Sequence, residues 1–310
     1  MPSWNELLDS LEKLPQNPPA DWLRRQTIET LEKVSELRGK RNVLYYASAF
    51  LQKPIAPAPN LQLTHEDLNG FMSVMFGMDW DKGLTLLLHT PGGVTNAAET
   101  IVAYLWSKFP DIEVIIPAYA MSAGTMISLA SSKIVMGRQS QLGPIDPQML
   151  VGGGFVSARA IVDQFDRAQK EILANPSAGH VWFPVLQSVG PALLQEAHNA
   201  LDYGEKMVAR WLADHMFSGE PDPQALADET ARYFNDASIH KSHGRRIDRD
   251  EARHQSVHIV NLEDDQNLQD AVLTAYHLST IVFEKSPAAK VLVSHKDRMW
   301  VKNLSGGSGQ

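Results

Sequence analysis

The chain has 310 residues, 44% hydrophobic and 21% charged, which is the balance of a soluble globular protein long enough to bury a full core. Its formal net charge of -8 at pH 7 argues against a nucleic-acid footprint, and the mixed run KSHGRRIDRDEAR at 241–253 reads as a solvated face. There is no cysteine, which excludes disulfides, thiol catalysis and cysteine zinc sites and fits a reducing, cytoplasmic setting.

Glu6, Asp9 and Glu12 stand where an export signal needs a basic start and an apolar stretch, so none is expected. Residues 21–38 carry Leu23, Ile28, Leu31, Val34 and Leu37 at helical spacing, and Gly39 stops the pattern. NVLYYASAF (42–50) is β-prone, LQKPIAPAPN (51–60) is a proline-rich loop, and THEDLNGFMSVMF (64–76) starts with a threonine cap and reads as a helix. GLTLLLHT (83–90) is a buried strand, PGG a tight turn, and 95–108 a helix with Ala98, Ile101, Val102 and Leu105 inward. IEVIIPAYA (112–120) is the next buried strand, a helix begins near Ser122, KIVMG (133–137) is a third strand and SQLGPIDPQ (140–148) a rigid loop.

Residues 114–132 carry no charge and approach the ~20 residues that span a bilayer. Pro117 and Gly124 divide them into strand, turn and helix, so no membrane span is expected. VGGGF (151–155) lacks the lysine and spacing of a phosphate loop and is expected as a flexible connection. Residues 157–174 and 191–217 read as long amphipathic helices, the second with Leu194, Ala197, Leu201, Val208, Leu212 and Met216 inward. EARHQSVHIVNLED (251–264) is a helix end plus strand, 268–283 a closing helix, and LSGGSGQ (304–310) a flexible tail.

Strands alternating with helices, each strand apolar almost throughout, predict an α/β fold with a parallel sheet covered on both faces. The expected organisation is an N-terminal helical segment at 1–40, a core at 41–155 and 236–285, a helical insertion at 156–235, and a tail at 286–310. The long helices lie outside the strand-helix core and carry Met207, Trp211 and Met216, so they are expected to make subunit contacts.

The two turns HTPGG and AMSAGT follow adjacent strands, at the carboxyl edge where parallel sheets place their sites. A serine attacking a carbonyl needs a nearby pair of donors for the oxyanion, and each turn can supply one backbone N–H. On the residues alone, Ser122 fits a helix cap as well as a nucleophile.

LLLHTPGGVTNAAETIVAYL, VIIPAYAMSAGTMISLASSKIVMGRQSQLGPIDPQ and HGRRIDRDEA together resemble the Clp-protease/crotonase superfamily. Within it the chain is similar to the serine dehydrogenase proteinase family, related to signal peptide peptidase, over about Arg24 to His277. The resemblance implies a ClpP/crotonase-like ββα spiral core with a largely parallel sheet and additional long helices. It also implies ring or stacked homo-oligomers, and peptide-bond hydrolysis by serine without metal or organic cofactor. Carried over residue by residue, it makes Ser122 the nucleophile and the N–H groups of Gly93 and Ala123 the oxyanion donors.

Clp-type proteases follow the serine with a histidine in an Ile-His-Gln-Pro-like loop and place an aspartate before a later helix. Here the residue types are exchanged: GPIDPQ gives Asp146 and SHGRRIDRDEA gives His243. The implied set is Ser122, His243 and Asp146, since a triad is defined by geometry rather than chain order. Signal-peptide-peptidase relatives use a lysine base, and the candidate, Lys170 in DRAQKEI, reads as a charged helix surface. His243 is therefore the expected base.

Plainer readings accompany each residue. Asp146 fits a turn aspartate equally well, His89 a core histidine, and His240 with His243 a metal pair lacking further ligands. The alternative functions are a crotonase-like acyl-thioester enzyme and an inactive relative that binds peptides or scaffolds an assembly. A peptide or protein substrate is expected as partner, an activating partner is left open, and no nucleic acid is expected.

Overall fold

A strand that is apolar at every position needs cover on both faces, and the chain folds to provide it. The computed structural model describes residues 3–13, 19–187, 190 and 192–304. They form two units, Met1–Leu142 with Arg246–Gln310, and Gly143–Arg245. The second unit is wider than the insertion expected at 156–235.

The first unit opens with helices α1 (Trp4–Glu12) and α2 (Pro19–Leu37), strand β1 (Asn42–Ser48), and helices α3 (Ala58–Leu61) and α4 (Asp67–Val74). Next come β2 (Leu84–His89), α5 (Thr95–Trp106), β3 (Ile112–Ile116), the short β4 (Tyr119–Ala120), α6 (Ala123–Leu129), β5 (Lys133–Met136) and β6 (Gln141–Leu142). The second unit holds β7 (Gln148–Val151), β8 (Gly154–Ser157) and helices α7 (Ala158–Ala174), α8 (Gly179–Gln187), α9 (Leu193–Trp211), α10 (Pro223–Asn235) and α11 (Ala237–His240). The first unit closes with α12 (Arg249–His254), β9 (Ile259–Asn261), α13 (Gln266–Lys285), β10 (Ala288–Ser294) and β11 (Arg298–Asn303).

Seven strands form the central sheet in the order β11-β10-β1-β2-β3-β5-β9. The run β1-β2-β3-β5-β9 is parallel, and β10 and β11 join antiparallel at one edge. The fold is the mixed α/β arrangement with a largely parallel sheet that the sequence predicts. Every residue of β1 and β2 is buried. On one face Tyr45, Leu87, Ile115 and Val135 pack under Leu31 and Val34 of α2 and Val272 of α13.

The expectation of a tail at 286–310 is corrected: β10 and β11 form a hairpin in the main sheet, with β10 buried throughout beside β1. The last residues of LSGGSGQ, 305–310, lie outside the described residues. The threonine cap expected on α4 is also absent, because Glu66 is the cap position and the Thr64 N–H instead donates to Asp67.

In the second unit VGGGF is a tight hairpin rather than a flexible connection. Val151 pairs with Gly154, and Gly152 (φ 59°) and Gly153 (φ 86°) take the left-handed turn conformation that a two-residue hairpin loop requires. Ala158, Ile161 and Val162 of α7 pack on Ala197 and Leu201 of α9. The subunit-contact reading of Met207, Trp211 and Met216 is likewise corrected. They are 3%, 6% and 4% exposed, because α10, a helix the sequence reading missed, packs on α9 and on the π-helical turn Leu212–Met216 that extends it.

Candidate active site

The parallel strands β2 and β3 deliver the two glycine- and serine-bearing turns to neighbouring positions. Thr90 fastens them: its N–H donates to the Tyr119 carbonyl at 2.9 Å, and its carbonyl accepts the Met121 N–H at 3.1 Å. Its hydroxyl accepts the Gly92 N–H at 3.2 Å. An added Cβ at Gly92 would lie 2.6 Å from both the Met121 carbonyl oxygen and Ser122 Cβ, so only glycine permits this approach.

Ser122 precedes α6 with φ 51° and ψ -117°, a left-handed conformation that a non-glycine residue adopts only when its surroundings impose it. A strained serine at a sharp strand-to-helix turn is the backbone signature of a nucleophile elbow, which lifts the hydroxyl clear of the chain. The cap reading does not hold. The Ser122 side chain makes no cap hydrogen bond, and a cap residue needs only ordinary extended backbone.

The N–H groups of Gly93 and Ala123 donate to no acceptor among the described residues. Gly93 is held from outside by a short parallel bridge, in which the Leu63 N–H donates to the Gly92 carbonyl at 2.8 Å and the Val94 N–H to the Leu63 carbonyl at 2.9 Å. The stretch carrying Leu63 is itself tied down by a buried ion pair. Lys290 Nζ, on β10, lies 2.7 Å from Asp67 Oδ2 and 2.9 Å from the Gln62 carbonyl, and both side chains are 1% exposed. The same Asp67 oxygen accepts the Thr64 N–H at 2.7 Å.

His89 ends β2 one residue before this network. It is fully buried against Phe50, Tyr119 and Tyr276, and neither ring nitrogen has a hydrogen-bond partner. Burial pushes its pKa down to about 3, opposed only by a weak approach to the Tyr119 backbone. It is a core histidine, as expected, though not a satisfied one.

Within the second unit the GPIDPQ loop brings Asp146 to His243. His243 Nδ1 lies 2.8 Å from Asp146 Oδ1, and Gln148 Nε2 donates to Asp146 Oδ2 at 2.7 Å. Asp146 is 2% exposed while the His243 side chain is 30% exposed. The carboxylate accepts, so Nδ1 carries the proton and Nε2 is the nitrogen left for chemistry. The loop is pinned on both sides, by Ile145 N–H to the Phe234 carbonyl and Ala158 N–H to the Pro147 carbonyl, each 2.9 Å. The pair lines a cleft of about 370 Å³ shared with Gln148, Ser157, Arg159 and Lys241.

His240 is separate from this pair. Its ring is spent on the Tyr233 carbonyl at 2.7 Å and on Arg245 at 3.1 Å, which removes the metal-pair reading. Lys170 is exposed on α7, as its charged context predicts. The sequence reading missed Gln148, Thr90, Leu63 and the Asp67–Lys290 pair. A lysine inside an otherwise apolar strand, AAKVLVS, was the available signal for the last.

Residues 57–175 match the family model of ClpP-like SDH-type serine proteinases. The segment contains Gly93, Ser122, Ala123, Asp146 and Lys170, and His243 lies beyond it. The uncharacterized protein MJ0137 of Methanocaldococcus jannaschii is 37% identical over 123 residues, 38% of this chain and 43% of that protein. The uncharacterized protein MJ1495 of the same organism is 34% identical over 110 residues, 36% of either chain. The chain thus spans less than half the length of these curated relatives.

Among solved structures, a serine-to-alanine mutant of the 1510-N membrane-bound stomatin-specific protease matches with TM-score 0.36 and 17% identity, over 79% of this chain and 89% of that one. A lysine-to-alanine mutant of that protease in complex with a substrate peptide matches with TM-score 0.34 and 18% identity, over 72% and 74%. In this chain no described helix is long and apolar enough to cross a membrane.

Proposed function

We propose, from the match of residues 57–175 to the ClpP-like SDH-type serine proteinases, that the chain is a serine peptidase acting through Ser122. The observation that carries this reading is the Ser122 backbone, held at φ 51° although its side chain makes no cap hydrogen bond. A crotonase-like thioester enzyme, or a scaffold, does not require Ser122 as a nucleophile.

In the proposed reaction Ser122 Oγ attacks the peptide carbonyl carbon as its proton passes to His243 Nε2, while Asp146 holds the ring and stabilises its charged form. The carbonyl oxygen takes up the negative charge and is received by the N–H groups of Gly93 and Ala123. Collapse breaks the C–N bond, and the histidine proton leaves on the amine. Water, losing a proton to the same histidine, then hydrolyses the acyl ester and restores Ser122.

The Asp146–His243 hydrogen bond supports histidine as the base, and the exposed position of Lys170 argues against lysine. The test is peptide hydrolysis by purified wild type and Ser122→Ala. Wild-type turnover by the mutant removes the proposal.

The proposed substrates are peptides or proteins, and the cysteine-free composition fits the proposed cytoplasmic location. A homo-oligomer is also proposed. Its contacts are assigned to the β7–β8 hairpin and α8, where Leu150, Phe155, Val181 and Phe183 are 68%, 70%, 72% and 65% exposed. Light scattering should give a mass several times 34.4 kDa, and a strict monomer at micromolar concentration contradicts the assembly.

A further inference from the structure

One cation in the second unit stands apart from the ion pairs around it. Arg159 lines the cleft that holds Asp146 and His243, its Nε is buried without a partner, and its guanidinium makes no hydrogen bond or ion pair among the described residues. Ser157 lines the same cleft, and its buried hydroxyl is also unpartnered: it precedes α7 but makes no cap hydrogen bond.

The nearby acids are not spent on Arg159. Asp146 is taken by His243 and Gln148. Asp236 accepts the Ser238 N–H at 2.8 Å; the Arg159 charge helps to lower its pKa, but the two form no hydrogen bond or ion pair. Asp163, one turn along α7, is exposed and forms no pair with it, so its repulsion of an incoming anion is screened by solvent. Lys241, exposed at the cleft edge, adds positive charge.

A guanidinium is always charged and offers a planar fork of donors, so a half-buried one without a partner is a site prepared for a carboxylate. We propose that Arg159, with Ser157, forms a subsite for a carboxylate of the peptide substrate, a glutamate or aspartate side chain or the free C-terminus. This rests on the serine-peptidase reading.

The test uses Ser122→Ala to hold substrate without turnover, and fluorescein-labelled peptide pools read by anisotropy. The pools are neutral with an amidated end, neutral with a free C-terminus, and amidated with one glutamate or one lysine. A carboxylate pool should bind at least about tenfold tighter than the neutral amidated one, and which carboxylate pool it is identifies the source. Adding Arg159→Gln should erase that difference without weakening the neutral pool, Arg159→Lys should keep part of it, and Arg159→Glu should turn the preference toward lysine.

Circular dichroism confirms that each variant is folded. Absence of any carboxylate preference, or a preference that survives Arg159→Gln, overturns the subsite. Labelling of wild-type Ser122 by a fluorophosphonate keeps the two ideas separable: carboxylate selectivity without labelling sinks the peptidase reading and spares the subsite.

Discussion

His243 donates from Nδ1 to Asp146 across 2.8 Å, and Asp146 is the more deeply buried partner at 2% exposure. A buried acceptor fixes the ring of a more exposed histidine, which suits the roles proposed for Asp146 as orienting group and His243 as base.

Asp146→Asn keeps the shape but replaces an acceptor-only group with one that can donate, so the proton is expected to move to Nε2. Peptide hydrolysis should fall by about 10⁴-fold, and His243→Ala should cost at least as much. Lys170→Ala should stay close to wild type. Steady-state kinetics on the three variants checks this, and an active His243→Ala beside a dead Lys170→Ala would replace the triad with a serine-lysine mechanism.

The Lys290–Asp67 pair is 1% exposed on both sides. Lys290→Met leaves a buried carboxylate uncompensated and should destabilise the fold by about 3–5 kcal/mol. Adding Asp67→Leu should recover much of that loss, since apolar residues often replace a buried pair at little cost. Urea midpoints of the two single variants and the double variant give the coupling. Additive losses would contradict an interaction between the two charges.

The fold was largely legible because its strands are apolar on both faces and its helices show clear periodicity. The hairpin from Ala288 to Asn303 was not. Lys290 interrupts the apolar run that would have announced β10. The site was legible as residue types in two turns. Ser122's φ was not, because Thr90, Gly92 and the Tyr119–Met121 stretch impose it through contacts between strands. Met207, Trp211 and Met216 were misread because α10 covers them, and its small buried residues, Ala227, Thr230 and Ala231, give a weak apolar signal.

His89 carries a pH dependence. The unfolded chain takes up its proton near pH 6.5, while the folded chain refuses it until about pH 3. Below the higher value the unfolded state therefore binds more protons, and stability falls as pH drops through that window, by roughly 1 kcal/mol per pH unit. His89→Phe should flatten this slope between about pH 6 and 4.5. His215 and His295, whose pKa values are also lowered by burial, contribute with the same sign in both proteins and cancel in the comparison. Identical slopes for the two proteins would show that His89 titrates freely in the folded state.

Covalent capture tests most directly whether Ser122 is the nucleophile. Wild-type protein treated with a fluorophosphonate should gain one phosphonyl group, mapped by mass spectrometry to the peptide bearing Ser122, and peptide hydrolysis should fall in step with labelling. Ser122→Ala should take up no label while remaining folded, its stability changed by no more than about 1 kcal/mol because the side chain makes no cap hydrogen bond. Labelling elsewhere, or an unlabelled wild type that still cleaves peptides, contradicts the account.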